Sequence, residues 1–491
     1  MSFSSFGFWL LVLACVTGYY LFPARFHAFW LLGISWLYYI AAGPGLLLFL
    51  LFAILTAWIG GLAAVSGRKA AVALPLLADF GMLAWLKYSN FAILCLNRLP
   101  GVSIPYLHLL LPLGISFYTF QSAGYLLDVY WQKCAPEKNP AKLALFISFF
   151  PQLMQGPIGR YASLGPQLWE GHPFDAGQIR RGMLRITWGL MKKMVLADNA
   201  ALYVNRIFGA YTDIRGLGIE GVLMYSVQLY ADFSGGIDIA LGIAEMMGIR
   251  LDENFRQPFF AQTLTDFWHR WHITLGTWMK DYVFYPITLS GWMRTLRTRS
   301  RKWFGREIGK AFCIGIANVI IFVVVGIWHG PAWHFIAYGL YNGLIIAAGG
   351  FFTVPFRNWK KALGITDQTV WFQAFRMLRT FLIVNLSWFL DRSASLGQAL
   401  QMLRDSFRGP LWSVSVIDPA DPGKCMVRFV TIVIGCVVLL TVSILREKGK
   451  DVRGALLRLP AWCRILLITG ALALCALYGT MDDGGFIYAN F

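Results

Sequence analysis

Apolar stretches of about the length that a tilted membrane helix needs, ~17 to 25 residues, recur along this chain from one end to the other. Nothing else in the sequence restricts the fold so strongly. Inside hydrocarbon the backbone must satisfy its own polar groups, and continuous apolar runs of this length do so only as helices. The first four run roughly from Phe6 to Phe22, Phe29 to Ala42, Leu46 to Val65 and Ala70 to Leu96, parted by the turn-like Pro23-Ala-Arg25, Gly43-Pro-Gly45 and Ser66-Gly-Arg-Lys69. Others follow from Ala311 to Val325, Phe335 to Phe352, Trp371 to Leu390, Met426 to Leu445 and Ile465 to Leu477. The expectation is an all-α polytopic membrane protein with about eleven to thirteen membrane-embedded helices, some broken or re-entrant, forming one integral-membrane unit over 1–491. No repeat of fixed period is visible, which argues against an inverted-repeat transporter.

Composition agrees, with 57% hydrophobic and 14% charged residues, and 20 tryptophans and 20 tyrosines suited to belts at two membrane interfaces. A net charge of +18 could suggest nucleic acid. The basic residues, however, fall in short clusters between apolar runs, where they set orientation and meet anionic membrane lipids, so nucleic-acid binding is not expected. The densest cluster is Arg294, Arg297, Arg299, Arg301, Lys302, Arg306 and Lys310, against the single acid Glu307; it reads as a cytoplasmic loop, as does 446–464. The eight cysteines are scattered without a C-x-x-C and read as small core residues, neither metal ligands nor a disulfide framework. The start of the chain lacks a positively charged n-region and reads as a retained first span in a multi-pass protein of the cytoplasmic (inner) membrane.

Several apolar stretches carry polar residues that a lipid-facing helix would not tolerate. Asp79 and Lys87 lie eight residues apart, roughly on one helix face, as a pair turned inward or snorkelling. The stretches 109–131, with Pro112, Gly114 and Gly124, and 146–160, ending Gln155-Gly-Pro-Ile-Gly-Arg160, read as interrupted helices that are either kinked or line a cavity. Asp232, Ser234 and Asp238 make 219–247 too polar to face lipid, and Asn254-Phe-Arg-Gln257-Pro258 follows it. These residues are expected in the interior.

The chemistry concentrates between Asp266 and Pro331. The stretch opens with Asp266-Phe-Trp-His-Arg-Trp-His272, continues with Trp278-Met-Lys-Asp281-Tyr282 and closes on Gly326-Ile-Trp328-His329-Gly-Pro331. It holds three of the seven histidines, with His334 just beyond. Ionisable groups in such surroundings are costly and mark function by default. Three readings stand open: a metal site from His269, His272, His329 and Asp266; a structural role for histidines capping helices; and a general base. A buried neutral imidazole can take a proton from an attacking hydroxyl, and His329, at the end of an apolar run beside a glycine, suits that role best. No Gly-x-Ser-x-Gly elbow or other nucleophile motif is present, so direct transfer to an acceptor is expected.

Taken together, Asp266-x-Trp-x-x-Trp-His272, Trp278-x-x-Asp-Tyr282 and Gly326-x-Trp-His-Gly330 resemble the membrane-bound O-acyltransferases, in particular their bacterial polysaccharide O-acetylation branch. Supporting pieces are Phe3-Ser-Ser, Leu113-Gly-Ile-Ser-Phe-Tyr118, Gln155-Gly-Pro157, Asp232-Phe-Ser-Gly235 with Asp238, Glu253-Asn-Phe-x-Gln-Pro258 and Phe486-Ile-Tyr488. The resemblance implies helices around a central tunnel, a core over 105–350 and C-terminal helices over 371–491. It implies His329 as the catalytic histidine and His272 as its partner. Asp232, Ser234, Asp238, Asn254, Gln257, Trp271, Asp281 and Trp328 become candidates for the substrate path. It further implies that an acyl group, usually acetyl from acetyl-CoA acting as substrate, passes from the cytoplasm to a polysaccharide or to an extracytoplasmic acetyltransferase partner, with no bound cofactor or metal. D-alanyl transfer to teichoic acid, as in a related branch, and a non-enzymatic transporter or flippase are the alternatives. The chain departs from the family pattern at His269, Thr274, Gly276, Lys280, Gly236 and Asn342, none of which is His272 or His329.

Overall fold

The computed structural model describes residues 5–212 and 214–480. Phe3, Ser4 and the Phe486-Ile-Tyr488 motif lie outside them. Among the described residues the regular structure is helical, joined by one isolated antiparallel bridge between Phe255 and Trp271. The helices are α1 (Phe6–Leu21), α2 (His27–Ala42), α3 (Leu47–Ala64), α4 (Lys69–Leu96), α5 (Ile115–Tyr130), α6 (Pro140–Ser148), α7 (Phe150–Gln155), α8 (Tyr161–Glu170), α9 (Ala176–Leu190), α10 (Asp198–Gly209) and α11 (Gly218–Met246). Then follow α12 (Leu264–Arg270), α13 (Ile273–Met279), α14 (Tyr285–Leu289), α15 (Gly291–His329), α16 (Trp333–Phe351), α17 (Thr353–Ala362), α18 (Val370–Arg392), α19 (Leu396–Asp405), α20 (Pro422–Glu447), α21 (Val452–Leu457) and α22 (Ala461–Tyr478).

Five helical segments among the described residues are long and apolar enough to cross a membrane: Pro44–Ala64, α4, α15, α20 and α22. A sixth is added if α16 and the bent segment after it count as one span. The larger number of embedded segments expected from the sequence would draw on shorter or more polar helices such as α1. Almost none of the apolar window of α22, and little of that of α20, is covered by protein. Bare apolar surface on helices of spanning length suits a hydrocarbon surrounding.

The chain divides into two compact units. One comprises the residues up to Asn199, Leu229–Asp252 and those from Ile434 onward. Its helix starts are fixed by side chains that take up otherwise orphaned N–H groups: Ser5 accepts from Phe8, Asn139 from Ala141 and Asp175 from Gly177. Helix α5 is buried nearly all round, which accounts for its mixture of small, polar and aromatic residues. It starts at Gly114, whose φ of 68° is left-handed and whose missing side chain leaves room for the Leu153 carbonyl. The interruptions read in 109–131 and 146–160 are real breaks, at Gly114, at Phe149 between α6 and α7, and at Gly156. Asp79 is fully buried, and its Oδ1 accepts a hydrogen bond from Thr56 Oγ1 at 2.6 Å; Lys87 is buried as well.

The second unit comprises Ala200–Gln228 and Glu253–Val433. Here the structure corrects one expectation: the basic stretch 291–310 is helical, where the sequence suggested a loop. Arginine, lysine, leucine and methionine are all good helix formers, and only Gly305 interrupts them, at φ 78° and ψ 176°. The interruption reverses the chain. Ser300 Oγ donates to the Gly309 carbonyl at 3.1 Å and lies 3.5 Å from Cys313 Sγ, whereas a straight helix would part Ser300 and Gly309 by about 14 Å. The second arm of this hairpin continues as the apolar helix that ends at His329. It packs closely on α16 because glycines face each other: a Cβ on Gly326 would strike the Phe335 carbonyl, and one on Gly339 the Phe322 carbonyl.

Candidate active site

The turn between α12 and α13 is shaped by Asn254. Its carbonyl accepts the Ile273 N–H at 3.0 Å, and its Oδ1 accepts the Thr274 N–H and Thr274 Oγ1–H, both at 3.0 Å. His272 Nδ1 lies 3.2 Å from the same oxygen. Because a backbone N–H can only donate, the Asn254 atom at this point must be oxygen, so the His272 proton sits on Nδ1 and Nε2 is its basic nitrogen. His272 has φ 48° and ψ 54°, an unusual backbone for a residue with a side chain. Lying outside the spanning helices, it is pushed down to about 3 by burial, with His329 nearby adding to the effect; it is a neutral imidazole.

Preceding residues hold this turn in place. Thr263 caps α12, and Asp266 ties the turn together by accepting from Arg270 Nε at 2.9 Å and from the Gln262 N–H at 3.1 Å. Trp271 stacks on Phe267 and meets Trp388 at 5.8 Å between ring centroids.

His329 is the last residue of α15, at its carbonyl end. Next to it, a side chain on Gly330 would overlap the Phe335 ring. His272 and His329 are each only 4% exposed. Trp328 connects them, its ring 6.0 Å from that of His272 and 5.3 Å from that of His329. Tyr338, on α16, lies 5.1 Å from the His329 ring.

A further residue meets His329 that the sequence reading missed. Asp391, near the end of α18, is buried, and its Oδ1 lies 3.2 Å from His329 Nδ1, off the line of a well-formed hydrogen bond. Its Oδ2 accepts the Tyr225 hydroxyl at 2.7 Å. His334 Nδ1 donates to the carbonyl of Leu390, the residue before it, at 2.8 Å. The signal available in the sequence was an acid directly following the apolar run that ends at Leu390.

The candidate residues therefore separate. Asn254, Trp271, His272, Trp328 and His329 come together in one unit. Gln257, with φ 41°, precedes the 3₁₀ turn Pro258–Phe260, and Asp281 is half-buried in the π-helical turn Lys280–Phe284; both belong to the same unit. Asp232, Ser234 and Asp238 belong to the other unit, in a buried charge network. There Lys192 Nζ contacts Asp238 at 2.6 Å and Ser234 at 2.8 Å, Lys193 Nζ lies 2.7 Å from both Asp232 and Asp198, and Arg185 reaches Asp238 at 2.9 Å. Lys192 and Lys193 sit in the π-helical segment Met191–Ala197, another pairing that the sequence did not reveal.

Among the described residues no group of three or more histidine, cysteine, aspartate or glutamate side chains is arranged to hold a metal ion. The metal reading finds no partner set: His269 is exposed and Asp266 is engaged by Arg270. A buried pair of imidazoles, one backed by a carboxylate and one by an amide, is equipped instead for moving protons between oxygen and nitrogen atoms.

Known proteins resemble the chain over most of its length. Residues 137–299, which include His272, match the membrane-bound O-acyltransferase (MBOAT) family. The chain is 32% identical to the probable alginate O-acetylase AlgI of Azotobacter vinelandii over 93% of its own length and 87% of that protein. It is 31% identical to the peptidoglycan O-acetyltransferase of Helicobacter pylori over 67% of this chain and 63% of that protein. With the teichoic acid D-alanyltransferase of Bacillus subtilis it shares 28% identity over 57% of this chain and 68% of that one. Similarity that spans nearly the whole chain, together with a polytopic helical fold, means that this protein belongs to the membrane-bound O-acyltransferase family and is an O-acyltransferase.

Proposed function

We propose that the protein takes an acetyl group from acetyl-CoA on the cytoplasmic side of the cell membrane and delivers it outward for O-acetylation of a cell-envelope or secreted polysaccharide. The polymer hydroxyl is acylated directly, or an extracytoplasmic acetyltransferase receives the group first. His329 is the general base. The observation that carries this reading is its burial at the end of a spanning helix, with its Nδ1 facing a carboxylate and the Trp328 ring lying against both it and a second buried imidazole, His272. In the reaction the acceptor hydroxyl loses its proton to His329 as its oxygen bonds to the acyl carbon, and the thioester C–S bond breaks. His272, neutral and with its Nδ1 proton committed to Asn254, presents Nε2 as an acceptor for a second donor on the substrate, such as a neighbouring hydroxyl of the polymer, since the proton of the reacting hydroxyl goes to His329. The basic hairpin at 291–310 is placed in the cytoplasm, where it also suits an anionic donor.

Acetyl is preferred to D-alanyl because similarity to the acetylating relatives covers more of the chain at higher identity. A passive transporter would need no base. The deciding experiment gives membrane vesicles radiolabelled acetyl-CoA. His329→Ala should abolish label transfer to the polymer, by about 100-fold or more, at unchanged protein level. Full transfer by that variant sinks the assignment.

A further inference from the structure

We infer that Asp391 is the positioning residue of His329: it holds the imidazole with its proton on Nδ1 and keeps Nε2 turned to the reacting hydroxyl. The inference rests on His329 being the base, and it adds a residue from a distant part of the chain.

Three observations fix the carboxylate in place. Asp391 is buried, with Oδ1 3.2 Å from His329 Nδ1. Oδ2 is held by the Tyr225 hydroxyl of α11 at 2.7 Å, so the carboxylate cannot rotate away without breaking that bond. The residues on either side are tied as well, Leu390 through its main chain and Arg392 through its side chain. His334 donates to the Leu390 carbonyl at 2.8 Å, and Arg392 Nη2 donates to Asn205 Oδ1 at 2.8 Å. A buried carboxylate that touches an imidazole nitrogen and accepts a tyrosine hydroxyl on its other oxygen is anchored to one purpose.

The chemistry follows from which nitrogen carries the proton. The negative carboxylate beside Nδ1 favours the tautomer with the hydrogen there, which leaves the lone pair on Nε2. The acceptor oxygen bonds to the acyl carbon and the C–S bond breaks. The hydroxyl proton passes to Nε2 and from there to the departing thiolate. Asp391 stays ionised throughout and stabilises the imidazolium while it lasts. The other titratable groups around this ring are His272 on the turn before α13, Tyr338 and His334 on α16, and Tyr225 behind the carboxylate. None of these is anionic in its ordinary state near neutral pH, so Asp391 supplies the negative charge that the imidazolium meets.

The test uses the full chain in membrane vesicles with radiolabelled acetyl-CoA, read as kcat, KM and the pH profile of transfer. Asp391→Asn should lower kcat by about 100-fold with KM for acetyl-CoA unchanged, and should move the acid limb of the profile to lower pH, because the charge that favours the imidazolium is gone. Asp391→Glu should recover part of the rate. Tyr225→Phe, which keeps the ring against Trp388 but frees Oδ2, should cost several-fold in kcat; it decides the matter if Asp391→Asn fails to accumulate. Wild-type kcat with an unmoved acid limb in Asp391→Asn, or wild-type kcat in Tyr225→Phe where that variant decides, overturns the inference. If His329→Ala is inactive at the same time, only the role of Asp391 is lost; if His329→Ala is active, the base assignment falls and this inference falls with it.

Discussion

Asn254 Oδ1 lies 3.2 Å from His272 Nδ1 while accepting two hydrogen bonds from Thr274. One amide oxygen therefore serves three donors and sets both the backbone turn and the tautomer of the histidine. Replacing Asn254 with alanine leaves the Thr274 N–H and the His272 Nδ1–H buried without this acceptor. The expected loss is on the order of 3 kcal/mol, since each stranded donor costs about 1 to 3. The thermal midpoint of the purified protein should fall, and acyl transfer should fall further than the stability loss accounts for. A variant with normal midpoint and rate would remove Asn254 from the site.

The left-handed backbone of His272 makes a second, sharper prediction. Alanine at this position keeps the strain of φ 48°, whereas glycine relieves it. His272→Gly should thus be more stable than His272→Ala by about 1 kcal/mol, the reverse of the order in an ordinary helix. Both variants should lose transfer, because both lack the ring. Equal stability, or alanine ahead, would mean that the turn does not hold this conformation.

The spans and the histidine motifs were readable in the sequence because each violates a local expectation: long apolar runs with no polar relief, and ionisable groups set within them. Asp391 was not readable. It follows Leu390 at the edge of an apolar run and precedes Arg392, so it resembles an ordinary helix-end charge; only the packing of α18 brings it to His329. The pairing of Lys192 and Lys193 with acids on α11 is hidden for the same reason, because the register between two helices is a tertiary property. The stretch 291–310 reads as a loop on charge density alone, although the residues that carry the charge favour helix. Gly305 and Gly309, the second of which leaves room for the Ser300 backbone, are the local clues to the reversal, and glycines alone do not say whether a helix bends, stops or turns back.

Glycine carries a different weight where α15 meets α16. Gly339 and Gly326 let the two backbones touch, and His329 sits one turn beyond Gly326. Gly339→Ala adds a methyl group that meets the Phe322 carbonyl, so the helices must part. The expected cost is about 1 to 3 kcal/mol in stability, with transfer reduced at least tenfold because a displacement of the imidazole by a fraction of an ångström spoils its alignment. Thermal unfolding and transfer assays on the same preparation check both halves. A neutral substitution would show that the interface has slack.

The last prediction concerns sidedness, on which the donor argument depends. Arg299 is exposed on the first arm of the basic hairpin, among seven basic residues and one acid. Carrying that excess outward would oppose both the bias that retains basic segments in the cytoplasm and the attraction of anionic lipid for them. A cysteine at Arg299, in a variant whose eight native cysteines are replaced, should react with a membrane-impermeant maleimide in inverted vesicles and stay unlabelled in intact cells. Labelling of intact cells would put the hairpin outside. The donor would then have to approach the hairpin-bearing face from the extracytoplasmic side, and uptake of acetyl-CoA from the cytoplasm beside the hairpin could no longer stand.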